Sequence, residues 1–218
     1  MARLATDRSP APSPAQVRLA LHLLTPVFLP LLILIRSSPA AAEIWEDACA
    51  WERPLGPRGV STRDGRIVWL TYLLAKHREF RTLAYYRIAQ HGLGWLAAAS
   101  VARLIFKGQD GLTIDCPSIG PRLFFEHGHG ATVTAERIGA DCWINQNVTI
   151  GYEGGSGQRP VIGDGVYIRT GAVVVGGIVL HDGAHVGANA VVRRDVDPGD
   201  VVAGVPARSL NARDTAQS

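Results

Sequence analysis

The sequence predicts a mainly β chain, a parallel β-helix of hexapeptide repeats with an N-terminal helical cap. Three observations carry this. Between Ile162 and Val196 the chain repeats every six residues. Ile162, Ile168, Val174, Leu180, Val186 and Val192 fall at one place of the repeat, and Val166, Ala172, Ile178, Ala184, Ala190 and Val196 four residues after each. Residues four apart in an extended strand face the same side, so each hexad sends one large and one small apolar group inward. Second, Gly165, Gly171, Gly177 and Gly183 take the third place after the aliphatic residue and Asn189 the fifth such place, as corners needing positive φ require. Third, residues 37–94 change to helical spacing, whereas the hexad lacks the 3.6-residue period of a helix. Stacked repeats of this kind bury one continuous core.

The repeat extends upstream through Ile138, Ile144 and Ile150, with Cys142 and Val148 at the small inward place. Between Ile150 and Ile162 lies Gly151-Tyr-Glu-Gly-Gly-Ser-Gly-Gln-Arg-Pro160, too polar and glycine-rich for a wall of the prism. It reads as a loop thrown out of the coil, and loops on rigid scaffolds are where chemistry is usually placed.

Ahead of the repeat, Ile44, Trp45, Ala48 and Trp51 form an apolar stripe at helical spacing, with Ser38-Pro39 as its expected cap and first turn. Val68–Lys76 and Phe80–Gln90 are further helix candidates, ended by His91-Gly92, and Trp95–Phe106 runs apolar into the first coil. Covering the open end of a solenoid is what such helices do. The expected divisions are therefore 1–36, a disordered start plus an apolar segment; 37–110, the cap; 111–208, the β-helix; and 209–218, a tail.

Within 1–36, Leu19 to Ile35 is almost wholly apolar with arginines at both ends, but it contains Pro26 and Pro30. Seventeen residues is the lower limit for a membrane-spanning helix, and two prolines weaken it. A soluble or peripheral chain, a membrane anchor through Leu19–Ile35, and a signal-like segment ending at Pro39-Ala-Ala-Ala42 are the readings this stretch leaves open. The net charge of +3 carries no basic run alternating with aromatics, which argues against nucleic acid. Cys49, Cys116 and Cys142 are odd in number and lack CxxC or Cys/His spacing, so neither a disulfide framework nor a metal site is expected.

Ile-Gly-Asp-Gly-Val-Tyr-Ile-Arg-Thr-Gly-Ala (162–172), Val-Gly-Ala-Asn-Ala-Val-Val (186–192) and Ala-Gly-Val-Pro-Ala-Arg (203–208) resemble the hexapeptide-repeat acyltransferases, which fold as left-handed β-helices. Phe125-Glu-His-Gly-His-Gly130, the loop at 151–160 and Phe80-Arg-Thr-Leu-Ala-Tyr-Tyr-Arg-Ile-Ala89 point within them to the serine O-acetyltransferase branch. The resemblance spans roughly residues 78–210. It implies acetyl-coenzyme A as co-substrate, a small-molecule acceptor, a homotrimer or a multiple of it (helices ahead of the coil help to join trimers in that branch), and a cytoplasmic location, where that donor is found. By position, His127 matches the family's catalytic histidine and Glu126 an acidic residue that binds the amino-acid substrate. His129, two residues away and less well aligned, is a rival base or a neighbour that shapes the pocket. Gly151, Thr170, Gly187 and Ala188 match positions along the coenzyme groove, and Arg193 and Arg194 are in reach of its phosphates.

The match departs at two places. The family's second active-site histidine is replaced by Arg159 in Gln158-Arg159-Pro160, a residue suited to holding a carboxylate but not to acting as a base. The aspartate that orients the catalytic histidine has Thr113 in its place, or Asp115 if the alignment slips by two. The leading reading is acetylation of the hydroxyl of L-serine, with His127 as general base, because neutral imidazole titrates near working pH. A sugar or glycan precursor is the alternative acceptor, and a catalytically weak scaffold or regulatory relative a second alternative. Partner docking through a C-terminal isoleucine, as in that branch, is not supported by the ending Asp-Thr-Ala-Gln-Ser218.

Overall fold

The computed structural model describes residues 13–55, 60–154 and 157–211. The expectations placed on residues 1–12 and 212–218 lie outside the described residues.

Six helices precede the coil: α1 Pro14–Ser37, α2 Ala41–Ala50, α3 Glu52–Leu55, α4 Arg66–Lys76, α5 Arg78–Ala89 and α6 Leu93–Ile105, with a short 3-10 turn at Thr62–Asp64. The strands are short: β1 Thr113–Asp115, β2 Phe124–Glu126, β3 Thr132–Thr134, β4 Arg137–Ile138, β5 Trp143–Asn145, β6 Thr149–Gly151 and β7 Val161–Ile162. β8 Tyr167–Ile168, β9 Val173–Val175, β10 Val179–Leu180, β11 His185–Val186, β12 Val191–Val192, β13 Val201–Ala203 and β14 Arg208–Ser209 complete them.

They build three faces of a prism. The first is β1-β3-β6-β9-β12, the second β4-β7-β10, and the third β2-β5-β8-β11-β13 with β14 added antiparallel. Bridges at Ile119–Ile138 and Leu180–Val196 extend the second face at both ends. The chain visits first, second and third face in turn, so from β1 to β13 each neighbour within a face comes from the adjacent coil and pairs in parallel. Val161 pairs with Val179, Tyr167 with His185 and Val173 with Val191, each eighteen residues further on. Across the glycine-rich loop the step widens: Thr149 pairs with Val173 and Trp143 with Tyr167, each twenty-four residues further on.

Every inward residue of the repeat is buried, from Ile138, Cys142, Ile144, Val148 and Ile150 to Val192 and Val196. The corners show why glycine recurs. Gly165, Gly171, Gly183 and Asn189 have φ between 56° and 71°, the left-handed conformation expected of them. Gly177 departs from that expectation. Positive φ falls on Gly176 instead, and a Cβ on Gly177 would lie 2.6 Å from Oε1 of Gln158. Its small size is required by the loop packed against it.

The cap is tied to the first coil by polar contacts as well as by packing. Trp51, wholly buried, donates from Nε1 to the Leu123 carbonyl at 2.9 Å and packs edge-on against Phe80 and Phe124. The Tyr86 hydroxyl donates to the Cys116 carbonyl at 2.6 Å, and Tyr85 to the Phe106 carbonyl at 2.7 Å. Burial pushes both phenols up to about 12. Arg87 and Asp47 form a buried ion pair at 3.0 Å; Arg87 also donates to the Gly120 carbonyl, and Asp47 accepts from the Leu123 amide.

Two local expectations are corrected. Ser38 does not start the second helix. It ends α1, its hydroxyl donating to the Ile35 carbonyl at 2.8 Å, and α2 begins at Ala41 after an uncapped Ala40. The hydroxyl is used by the helix before it because Pro39 has no amide to give the Ile35 carbonyl, which bonds the Ser38 hydroxyl and the Ser38 amide instead. The apolar segment, for its part, runs as one helix through Pro26 and Pro30 from a capping box of Ser13 and Gln16. One stripe of it, including Leu21, Phe28, Leu31, Leu32 and Ile35, is buried, and α1 packs on α4 with Thr25 beside Thr71. Tertiary packing of that stripe outweighs the two missing amide donors.

Candidate active site

His127 ends the strand-to-corner passage from β2 on the third face to β3 on the first. Its own φ is 62°, and Gly128 and Gly130 follow at 40° and 67°, so the chain turns within four residues. Space forces the glycines. A Cβ on Gly128 would lie 3.0 Å from Cβ of Glu79 in the cap, and one on Gly130 only 2.3 Å from Oδ1 of Asn147 in the coil below. The turn is thereby wedged between α5 and the next coil, and both His127 and His129 are left exposed. The His127 carbonyl accepts from the His129 amide and lies 3.0 Å from its ring Nδ1, so His129 braces the turn.

Below His127 the same corner recurs in each coil, as Gln146-Asn147, Thr170-Gly171 and Gly187-Ala188-Asn189. Backbone bonds join the corners: Asn147 to the His129 carbonyl, Gly171 to Gln146 and Asn189 to Thr170, at 2.9 to 3.1 Å. His127, His129, Thr170, Gly187 and Ala188 therefore share one edge of the prism. A Cβ on Gly187 would lie 3.0 Å from the Ala203 Cβ, a tight contact that gives the residue a packing reason to be small as well. Glu126 stands beside this edge, half-buried, its Oε2 accepting from Nε1 of Trp143 at 3.1 Å.

Gly151 and Arg159 lie elsewhere. Gly151 ends β6 on the first face, and the loop after it runs along the opposite edge, between first and second faces. Arg159 reaches up to Asp115 at the end of β1, with guanidinium–carboxylate contacts of 3.2 and 3.3 Å, and its guanidinium lies over the Tyr152 ring at 5.5 Å. Glu153 reaches down to pair with Arg193 beyond β12. Within one chain the width of the first face, roughly 15–20 Å for five or six extended residues, separates His127 from Arg159. Neither Asp115 nor any other carboxylate among the described residues is bonded to the His127 ring. Thr113 is on β1, paired with Thr132.

Two polar residues that sequence reasoning passed over belong to the histidine edge. Asn145 pairs in register with Glu126 and donates to the Thr170 hydroxyl at 3.3 Å. Its Oδ1, and Oε1 of Gln146, are buried without a hydrogen-bond partner. Leaving such atoms unpaired costs free energy, so both sites favour any rearrangement that supplies a donor. The signal was present as a polar Asn-Gln pair directly after inward Ile144. At the far end of the coil, Arg194 and Arg208 line a cavity of about 530 Å³ together with Arg193, Asp195 and Asp200. Among the described residues no group of three His, Cys, Asp or Glu is placed to hold a metal ion.

Coil, corners and loop define the class of fold: a left-handed parallel β-helix of hexapeptide repeats with a helical N-terminal region, as in the hexapeptide transferases. The family model for bacterial transferase hexapeptide (six repeats) matches residues 159–194. Within that class the chain is similar to serine acetyltransferases. It is 43 % identical over 96 residues to serine acetyltransferase from Mycobacterium tuberculosis, covering 42 % of each chain. The structure of soybean serine acetyltransferase complexed with serine superposes with TM-score 0.64 at 27 % identity, covering 92 % of this chain and 85 % of that one. A serine acetyltransferase in complex with CoA gives 0.60 at 26 %, covering 90 % and 84 %. The sequence match thus spans less than half the length of the curated relative, whereas the fold match spans nearly all of both chains.

Proposed function

We propose that this chain is an acetyl-coenzyme A-dependent O-acetyltransferase acting on the hydroxyl of L-serine. The observation that supports it most is the placement of His127 at the head of an edge whose lower corners are Thr170 and Gly187-Ala188. An exposed imidazole there heads a row of small residues stacked corner on corner, and similar folds are known with serine and with CoA bound. His127 takes the hydroxyl proton as the serine oxygen attacks the thioester carbonyl. Backbone amides stabilise the tetrahedral oxyanion. The imidazolium then returns the proton to the departing sulfur, giving the O-acetyl ester and free coenzyme A. Glu126, tied to Trp143, faces the acceptor's ammonium group, and Asn145 and Gln146 offer further polar atoms. Arg193, Arg194 and Arg208 suit the coenzyme phosphates.

The single chain lacks a partner for the His127 ring on its own edge. A homotrimer sets the loop edge of one copy against the histidine edge of the next, which brings the Arg159–Asp115 pair, with Gly151 at the loop's base, to the neighbouring site. The reaction requires a cytoplasmic donor, so the cytoplasm is the proposed location. A second reading, O-acetylation of a sugar or glycan precursor, is favoured by Arg159 in place of the family's second histidine, since it meets Asp115 and not a free amino-acid carboxylate.

Coenzyme A release by the full chain, with L-serine and separately with a sugar panel, tests both readings. Serine-dependent release that falls by roughly 10²–10⁴-fold in His127→Ala is expected. Release with a sugar alone supports the second reading, and release unaffected by His127→Ala removes the assigned base.

A further inference from the structure

The packing of α1 leaves most of that helix uncovered. Only 22 % of its most apolar stretch is buried, and Leu19, Leu23, Val27, Leu29 and Ile33 are 49 to 71 % exposed. Helix α6, which lies beside it, buries only Ala99 and exposes Leu93, Val101, Leu104 and Ile105 at 59 to 84 %. The two surfaces are continuous. Phe28 and Phe106 have ring centroids 5.2 Å apart, and a groove between the helices is lined by Pro30, Leu31, Ala98, Val101 and Ile105. An apolar patch of this extent marks a binding surface in a folded protein.

Charge identifies what it binds. Neither α1 nor α6 contains a single Asp or Glu, whereas Arg18 and Arg36 stand toward the two ends of α1, and Arg103 and Lys107 at the end of α6, all exposed. The one carboxylate meeting these four among the described residues is Asp64, on Arg18. Trp95, half-buried on α6, is a residue type suited to the headgroup level. Apolar side chains flanked by cations, with no acid on either helix, fit an anionic bilayer surface. Burial of Leu21, Phe28, Leu31, Leu32 and Ile35 within the cap opposes a transmembrane course, because spanning would strip that stripe from α4.

We propose that α1 and α6 together form an in-plane docking surface for anionic lipid membrane. The coil then stands off the bilayer, and an acceptor held at that surface reaches the enzyme without crossing. The proposal does not depend on which acceptor is used.

The test is co-sedimentation of the full chain with vesicles of phosphatidylcholine alone and of phosphatidylcholine with phosphatidylglycerol. Binding at least about tenfold stronger to the anionic vesicles is expected, weakening as salt is raised. The pair Leu23→Glu with Val101→Glu, both at exposed positions, is expected to abolish sedimentation while thermal unfolding and coenzyme A binding stay unchanged. Three results overturn the idea: wild-type protein left in the supernatant with both vesicles, a doubly substituted protein that still sediments, or protection of the N-terminus from externally added protease, which would mean that α1 spans. A detergent-free assembly of two trimers that shields these helices and ignores vesicles also overturns it, in favour of contact between copies.

Discussion

Asp47→Ala is the sharpest test of how cap and coil are joined. The Asp47 and Arg87 side chains are only 1 % and 3 % exposed, and they meet in a two-pronged contact at 3.0 and 3.2 Å. Asp47 also accepts the Leu123 amide at 3.1 Å, while Arg87 donates to the carbonyls of Ile119 and Gly120. Removing the carboxylate leaves the buried guanidinium with only the half-exposed Glu43 carboxylate at 3.5 Å, a loss toward the lower end of about 3–5 kcal/mol. It also orphans an amide, so a total of at least about 4 kcal/mol is expected. At about 2–4 °C per kcal/mol for a chain of this size, the unfolding midpoint falls by roughly 8–16 °C. Calorimetry on the full chain reads this directly, with denaturant unfolding as a check. The pair Asp47→Leu with Arg87→Met removes both charges and should recover at least half of the loss. A fall under about 1 kcal/mol for Asp47→Ala, the scale of a surface pair, would refute the claim that this contact joins cap to coil.

Other expectations follow from single contacts. Gly139→Ala puts a Cβ 2.6 Å from the Gly163 backbone of the next coil, so a loss of about 2 kcal/mol or more and lower expression are expected; unchanged stability would mean that the coils can separate there. If Arg159 acts through Asp115, then Arg159→Ala and Asp115→Ala should change KM for the acceptor alike and the double variant no further, whereas additive effects in steady-state kinetics would make them independent. Burial pushes the Cys142 thiol up to about 12 from 9.0. Its contribution to stability is therefore complete below pH 9.0 and is lost as pH rises through about 12, so wild type should lose more stability over that window than Cys142→Ala. A disulfide reagent should modify Cys142 only as fast as the chain unfolds, and rapid labelling of the folded protein would contradict its burial.

The coil was legible because its rule is local and periodic. Ile162 to Val196 repeat at a spacing that only extended strands can bury, and corners such as Gly165 and Asn189 adopt the backbone angles their residue types favour. The histidine edge was partly legible for the same reason: residues one coil apart in sequence are stacked neighbours, so a turn at His127 and small residues at Gly187-Ala188 fall in line. The polar pair Asn145-Gln146 went unread, since its place directly after inward Ile144 does not by itself separate an unpaired buried amide oxygen from a solvated one.

Helix ends and the loop obeyed no such rule. Ser38 has the composition of a start signal, but its hydroxyl went to the preceding helix because the Ile35 carbonyl, which Pro39 cannot supply with an amide, lies within reach. Leu19–Ile35 reads by composition as a segment apart, yet a partner helix at residues 66–76 determines that one stripe is buried and the rest exposed. Gln158-Arg159-Pro160 looks like an active-site motif, but the ionic contact to Asp115, forty-four residues earlier in the chain, sets where Arg159 stands. The sequence by itself determined the period, and with it the prism, its buried rows and its stacked corners, because those depend on spacing alone. Only the tertiary structure decided which edge each functional group occupies and which helical face is left uncovered, because those depend on partners distant in sequence.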